Sequence, residues 1–194
     1  MRPDEIHAIA DEHQQAVQRF FARHAEELAR AAELLIAALG RGGTVLLCGN
    51  GGSAADAQHI AAELTGRFLR ERRGLPAVAL TTDTSALTAI GNDYGFDRVF
   101  ARQVEALGRP GDLLVAITTS GASPNVLEAI HAARAREIAV IGLLGRDGGA
   151  ARARCDVALV VEADLTARVQ EVHILVAHIL CEAVDRAFAG PREE

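Results

Sequence analysis

The sequence predicts an α/β protein in which a parallel sheet of about five strands is covered by helices on both sides, with long helices at both ends of the chain. Three observations predict it. Five short apolar runs recur through the middle of the chain, glycine-rich or polar loops bound them, and segments of helix length lie between them. Runs that are continuously apolar suit strands buried on both faces. Strands that alternate with helices build a parallel sheet.

The elements follow in order. From about 5 to 39, Ile6, Ile9, Val17, Phe20, Leu28, Leu34, Leu35 and Leu39 recur at helical spacing with charges between them, and Gly40-Arg-Gly-Gly43 ends the helix. The strands are Thr44–Cys48, Ala77–Thr81, Asp112–Thr118, Ile138–Leu144 and Val157–Val161, with helices near 54–66, 96–108 and 124–136. A last helix, about 165–189, carries Leu165, Val169, Val172, Ile174, Leu175, Val176, Ile179, Leu180 and Val184. These spread too far round the cylinder for a surface helix. With the first helix, it is expected to pack against another copy of the chain.

Composition narrows the function. The 194 residues are 49% hydrophobic and 24% charged, which suits one globular domain over 1–194 with a real core. The net charge of −6 offers no general attraction to nucleic acid or to an anionic membrane, and 4% aromatics with no Trp make a base-stacking surface a poor reading. All 20 basic residues are Arg. The absence of Lys excludes Schiff-base chemistry, a pyridoxal-phosphate anchor and a Walker-type phosphate lysine. Cys48, Cys155 and Cys181 lie far apart and read as reduced thiols. No secretory or membrane-spanning run is present, so the expected location is the cytoplasm.

Ligands of open parallel sheets bind beyond the carboxyl ends of the strands, and two such ends are distinctive. In Cys48-Gly-Asn-Gly-Gly-Ser-Ala-Ala-Asp56, glycines let the backbone turn and approach a ligand, and Ser53 is placed to cap the next helix. In Thr118-Thr-Ser-Gly-Ala-Ser-Pro-Asn125, hydroxyls, a flexible glycine and Pro124 in the first helical turn make a neutral phosphate cradle that needs no lysine. Either loop alone is an ordinary turn between strand and helix. Both on one sheet edge favour a phosphorylated small molecule.

His59 and Glu63 stand four apart, on one helix face. Gln170, Glu171, His173 and His178 interrupt the apolar last helix, where buried polar groups need partners. Gln170 and His178 are separated by about 12 Å of rise and 80° of rotation, so spacing alone does not bring them together. Two His, one Glu and a Gln would suit Zn²⁺; a salt bridge and a satisfied core histidine account for the same residues without a metal. His7, His13, His24 and His131 read as surface residues.

Taken together, Cys48–Arg67, Leu87-Thr-Ala-Ile-Gly-Asn-Asp93, Thr118-Thr-Ser-Gly121 and Ala167–Leu180 resemble the phosphoheptose isomerase family, within the sugar isomerase (SIS) domain proteins. The resemblance spans nearly the whole chain. It implies a single SIS domain with a three-layer αβα fold, a homotetramer with sites between subunits, and conversion of sedoheptulose 7-phosphate to D-glycero-D-manno-heptose 7-phosphate for lipopolysaccharide or other surface glycans. It also implies a catalytic pair, Glu63 and His178, and one Zn²⁺ per subunit on His59, Glu63, Gln170 and His178. Substrate contacts fall on Asn50, Gly51, Gly52, Ser53, Glu63, Asn92, Asp93, Thr118, Thr119, Ser120, Ser123 and Gln170. Thr118 stands where relatives carry Ser, and the hydroxyl is kept.

The chemistry suits these parts. Moving a carbonyl between C1 and C2 requires a base beside the carbonyl and an acid for the oxygen, through an enediol(ate). Glu63 is the expected base and His178 the expected acid. The rival is a non-catalytic SIS scaffold that binds the replication initiator protein, which resembles a scaffold without the helix carboxylate and the final histidine. A sugar-phosphate-sensing regulator would carry a DNA-binding segment, and none is visible.

Overall fold

A computed structural model describes residues 1–190 of the chain. The domain expected over 1–194 is therefore seen up to Gly190, and residues 191–194 lie outside the described residues. The core is a five-stranded parallel sheet, β1 Val45–Gly49, β2 Ala77–Ala79, β3 Leu113–Thr118, β4 Ala139–Gly145 and β5 Val157–Val161, in the order β2-β1-β3-β4-β5. Its helices are α1 Pro3–Gly40, α2 Gly52–Thr65, α3 Thr84–Tyr94, α4 Ala101–Leu107, α5 Pro124–Ala135, α6 Gly149–Arg152 and α7 Thr166–Phe188.

Each central strand splits its side chains between two cores. Val45, Leu47, Leu113, Val115, Ile117, Ile141 and Leu143 pack with α1, α2 and α7 on one face. Leu46, Cys48, Leu114, Ala116, Val140 and Leu144 pack with α4 and α5 on the other. This period of two, apolar on both sides, is why the strands read as continuous apolar runs. The three layers are those the sequence predicts.

Three local expectations are corrected. The helix expected over 96–108 is a 3-10 turn at Phe96–Arg98 followed by the short α4. α3 has no counterpart in the predicted elements; its Leu87 and Ile90 are only half-buried and it buries no residue fully, so the apolar periodicity is faint, while Asp83 caps it by accepting from the Ala86 N–H at 2.9 Å. α6 is a single turn and leaves no periodicity at all.

α7 also behaves differently from the expectation. Its Val169, Val172, Val176, Leu180 and Val184 are buried within this one chain, against α1, α2 and the sheet. The wide apolar girth of α7 is thus used mostly inside the subunit. The Arg168 guanidinium donates to the Ile9 carbonyl (2.8 Å) and to Glu171 (2.6 Å), and the His13 ring lies 2.8 Å from Glu171, tying α1 to α7. His13 is therefore half-buried, and the His24 side chain is only 13% exposed beside Phe20, so neither is the surface residue expected, whereas His7 and His131 are.

Candidate active site

The strand order places a crevice. The chain leaves β1 outward to β2, then returns across to β3 on the other side of β1, so the C-terminal ends of β1 and β3 lie side by side, Gly49 in register with Ile117. Loops that leave adjacent strands in opposite directions open a cleft between them. Both distinctive loops emerge here.

The first turns at Gly51, whose φ of 55° is the left-handed conformation glycine tolerates, and α2 begins at Gly52. The helix thus starts ahead of Ser53, which is packed 3% exposed in its first turn and does not cap it, contrary to the expectation. Asn50 is fixed by a reciprocal pair with Asn125, each amide donating to the other at 2.8 Å across the cleft. A Cβ on Gly52 would run into the side-chain amide of Gln170 from α7, so glycine leaves room for that amide to lie on the turn.

The second loop gathers hydroxyls. Thr118 Oγ1 lies 2.9 Å from Ser123 Oγ and 3.3 Å from Ser120 Oγ, and the Ala122 N–H donates to Ser120 at 3.2 Å. Pro124 opens α5 with no N–H to satisfy, as expected, and Ser123 stands at the N-cap with its hydroxyl turned to Thr118. A cluster of neutral donors at the start of a twelve-residue helix suits a phosphate.

About two turns into α2, His59, and one turn later Glu63, face α7. His59 Nε2 is 3.6 Å from Glu63 Oε1 and 3.0 Å from His178 Nε2. At that approach one ring nitrogen donates and the other accepts. The Phe68 ring stacks on His178 with centroids 5.3 Å apart and planes 24° apart, fixing the imidazole plane. Glu63 is 21% exposed and His59 45%, so the carboxylate is the more enclosed of the two. The structure thus brings His59, Glu63 and His178, 119 residues apart for the two histidines, to one spot in a single chain.

The remaining expected site residues are placed more loosely. Gln170 lies on the Gly52 turn, and among the described residues it has no hydrogen bond to His59, Glu63 or His178. Thr119 is half-buried on the cradle loop. Asn92 and Asp93 sit at the exposed end of α3, where Asn92 donates to Asp93 at 2.8 Å; in one subunit they face solvent.

The donor chemistry fits a zinc ion in part. Two tetrahedral ligands at ~2.0–2.1 Å from zinc stand ~3.3 Å apart, close to the 3.0 Å between the two imidazole nitrogens. Among the described residues, no group of three or more His, Cys, Asp and Glu is already gathered at metal-holding distances. Burial pushes the Asp56 carboxyl up, against the pull of His59 three residues on, and its Oδ2 has no partner. Burial pushes the thiols of Cys48, Cys155 and Cys181 up to about 12, so all three are inert, as expected from their spacing.

Sequence reasoning missed Asn125 and Phe68, and with them the buried ion pair of Arg72 with Asp185 on α7 (2.7 Å). Asn125 left a trace, an amide one residue beyond Pro124 in the cradle loop. Asp185 left another, an acid seven residues after His178 and so on nearly the same face. Arg72 left none, because Arg70-Glu-Arg-Arg73 reads as a solvated charge run.

Comparison with known proteins gives this geometry its class. Residues 10–145 match the SIS domain family, so the chain carries a sugar isomerase domain. It is 58% identical to a phosphoheptose isomerase from Campylobacter concisus, over 91% of this chain and 95% of that protein. A solved phosphoheptose isomerase from Neisseria gonorrhoeae superposes with a TM-score of 0.89 at 53% identity, covering 94% of this chain and 98% of the other. One from Francisella tularensis gives 0.91 at 42% identity, over 94% and 97%. The chain belongs to the phosphoheptose isomerase family.

Proposed function

We propose that this phosphoheptose isomerase interconverts sedoheptulose 7-phosphate and D-glycero-D-manno-heptose 7-phosphate, with Glu63 and His178 as its proton carriers. The observation that supports this reading is the meeting of His59, Glu63 and His178 beside two loops built for an anion. The phosphate sits on the hydroxyls of Thr118, Ser120 and Ser123 and the N–H groups around Thr119; the Asn50–Ser53 turn and Gln170 contact the sugar. Asn92 and Asp93, exposed in one subunit, complete the substrate contacts in the oligomer.

The Glu63 carboxylate removes a proton from C1 of the ketose, and the C1–H electron pair becomes the C1=C2 bond of an enediol(ate). The pair of the C2 carbonyl passes to O2, which takes a proton from the His178 imidazole. His178 then accepts the O1 proton as the C1 carbonyl forms, and Glu63, whose carboxyl proton exchanges with solvent while the enediol(ate) lasts, delivers a proton to C2. His59, 3.0 Å from His178, orients the ring. A Zn²⁺ ion would be held by His59, Glu63, Gln170 and His178, one per subunit, and when bound it supplies Lewis-acid stabilisation to the sugar oxygens.

A homotetramer is part of the same reading. Ile6 and Ile9 on the outer half of α1 are 53% and 40% exposed, and Leu165 at the head of α7 is 55% exposed, which leaves apolar surface for another copy. Among the described residues no helix is long and apolar enough to cross a membrane, and the proposed place of action is the cytoplasm. The product feeds heptose biosynthesis for surface glycans. The scaffold alternative keeps no use for a carboxylate and an imidazole in one pocket. Incubation of the purified protein with sedoheptulose 7-phosphate tests the reading: the aldose appears, and Glu63→Gln loses turnover. An inactive protein that binds a replication initiator would overturn it.

A further inference from the structure

We infer that the buried ion pair of Arg72 and Asp185 is a positioning pair that sets the two proton-carrying side chains against each other; the inference rests on the roles proposed above for Glu63 and His178. Both side chains are fully buried, with Arg72 Nε donating to Asp185 Oδ1 at 2.7 Å. A buried pair of this kind is a poor source of net stability, because desolvation offsets most of the attraction, and its use is sought in the geometry it enforces.

That geometry has two arms. The Arg72 guanidinium reaches the carbonyls at the end of α2, donating to Glu63 O (2.7 Å), Leu64 O (2.9 Å) and Gly66 O (3.1 Å). These carbonyls have no partner within the helix, and a cation there also meets the negative end of its dipole. One of them belongs to Glu63 itself, so the guanidinium fixes the backbone from which the carboxylate projects. On the other arm, Asp185 Oδ2 accepts from the Leu69 N–H (2.5 Å) and the Arg70 N–H (2.8 Å). Those amides follow Phe68, whose ring stacks on His178. Asp185 in turn lies on α7 two turns beyond His178. A single buried pair thus ties the end of the Glu63 helix, the ring that holds His178, and the His178 helix. Burial pushes the Asp185 carboxyl up, but the Arg70 and Leu69 amides and the Arg72 guanidinium outweigh burial and keep it ionised.

The test compares Arg72→Lys, Asp185→Asn and Phe68→Leu with Val140→Ala, a core change in the opposite layer, all assayed well below their melting temperatures. Displacements of about 1 Å at a catalytic group lower turnover up to about 100-fold. The first three variants are therefore expected to lose about 10- to 100-fold in kcat with KM for the sugar phosphate within about twofold, because the phosphate cradle is on β3 and α5. Val140→Ala, destabilised to a similar melting temperature, keeps its kcat. In proton NMR, the His178 ring resonances, assigned through His178→Asn, move in Asp185→Asn and Phe68→Leu as the stacked ring is displaced. Unchanged kcat and unchanged His178 resonances in Arg72→Lys and Asp185→Asn would overturn the inference, as would an equal kcat loss in Val140→Ala. If Arg72→Lys and Asp185→Asn do not fold, Phe68→Leu still decides the second arm. Retained activity in Glu63→Gln and His178→Asn would instead overturn the site on which the inference rests.

Discussion

Acid should loosen α7 through one histidine, by an amount the structure fixes. His173 is 1% exposed, and its Nε2 lies 3.1 Å from the Leu144 carbonyl at the end of β4. A carbonyl only accepts, so Nε2 carries the proton and Nδ1 is left bare, buried and without a partner. Protonating Nδ1 would bury a charge with nothing to meet it. Burial accordingly lowers the pKa from 6.5 to about 4, the Leu144 contact opposing only part of the effect. Between those values the unfolded chain binds the proton and the folded one does not, so stability rises with pH in this window. The contribution is fully present above about pH 6.5 and gone below about 4, and at ~1.36 kcal/mol per unit it amounts to about 3 kcal/mol. Urea unfolding at fixed protein concentration from about pH 4 to 7.5 measures it, with His173→Gln as the reference that keeps a donor for Leu144 and does not titrate. The reference also removes the contributions of His24, lowered by burial, and Asp56, raised by burial, which have opposite signs. The wild-type advantage should shrink by about 3 kcal/mol on acidification. Parallel curves for the two proteins would refute the reasoning.

Other outcomes follow from the cleft. Glu63→Gln should lower kcat by about 10²- to 10⁴-fold, the usual worth of a positioned base, while KM stays within a few-fold in steady-state assays. Thr118→Val removes a hydroxyl that meets both Ser120 and Ser123, and should raise KM by about tenfold or more, as expected for a hydrogen bond to a charged group. Gly52→Ala drives a methyl into the Gln170 amide, and kcat/KM should fall although Ala is a good helix former. Zinc titration by calorimetry should show one site per subunit, lost in His59→Ala and in His178→Ala; undiminished binding in both variants would remove the metal from these residues.

The sheet is legible in the sequence because β1, β3, β4 and β5 are apolar on both faces, a pattern that loops and surface helices rarely produce. The apolar run at β2 outlasts the strand by two residues: β2 is an edge strand paired with β1 alone, and the chain turns away at Leu80 and Thr81. α3 is invisible for the reason that makes it exposed, since a helix that buries nothing fully leaves little period. In the site, His59 and Glu63 are legible from helical spacing and His178 from its apolar setting. Their convergence is not, because it depends on how α2 and α7 cross, which no local pattern encodes. Arg72 and Asp185 show the same limit more sharply: a guanidinium among surface-like arginines becomes a buried staple only once the loop after α2 folds under α7.

The central claim is that a carboxylate and an imidazole brought together by α2 and α7 carry a proton between adjacent carbons of one sugar phosphate. Turnover of sedoheptulose 7-phosphate in D₂O, followed by NMR, tests it most directly. The account predicts deuterium at C2 of the aldose and, as the reaction runs back and forth, at C1 of the recovered ketose, with both signals lost in Glu63→Gln. Many turnovers to an aldose that retains only protium at C2 would contradict it.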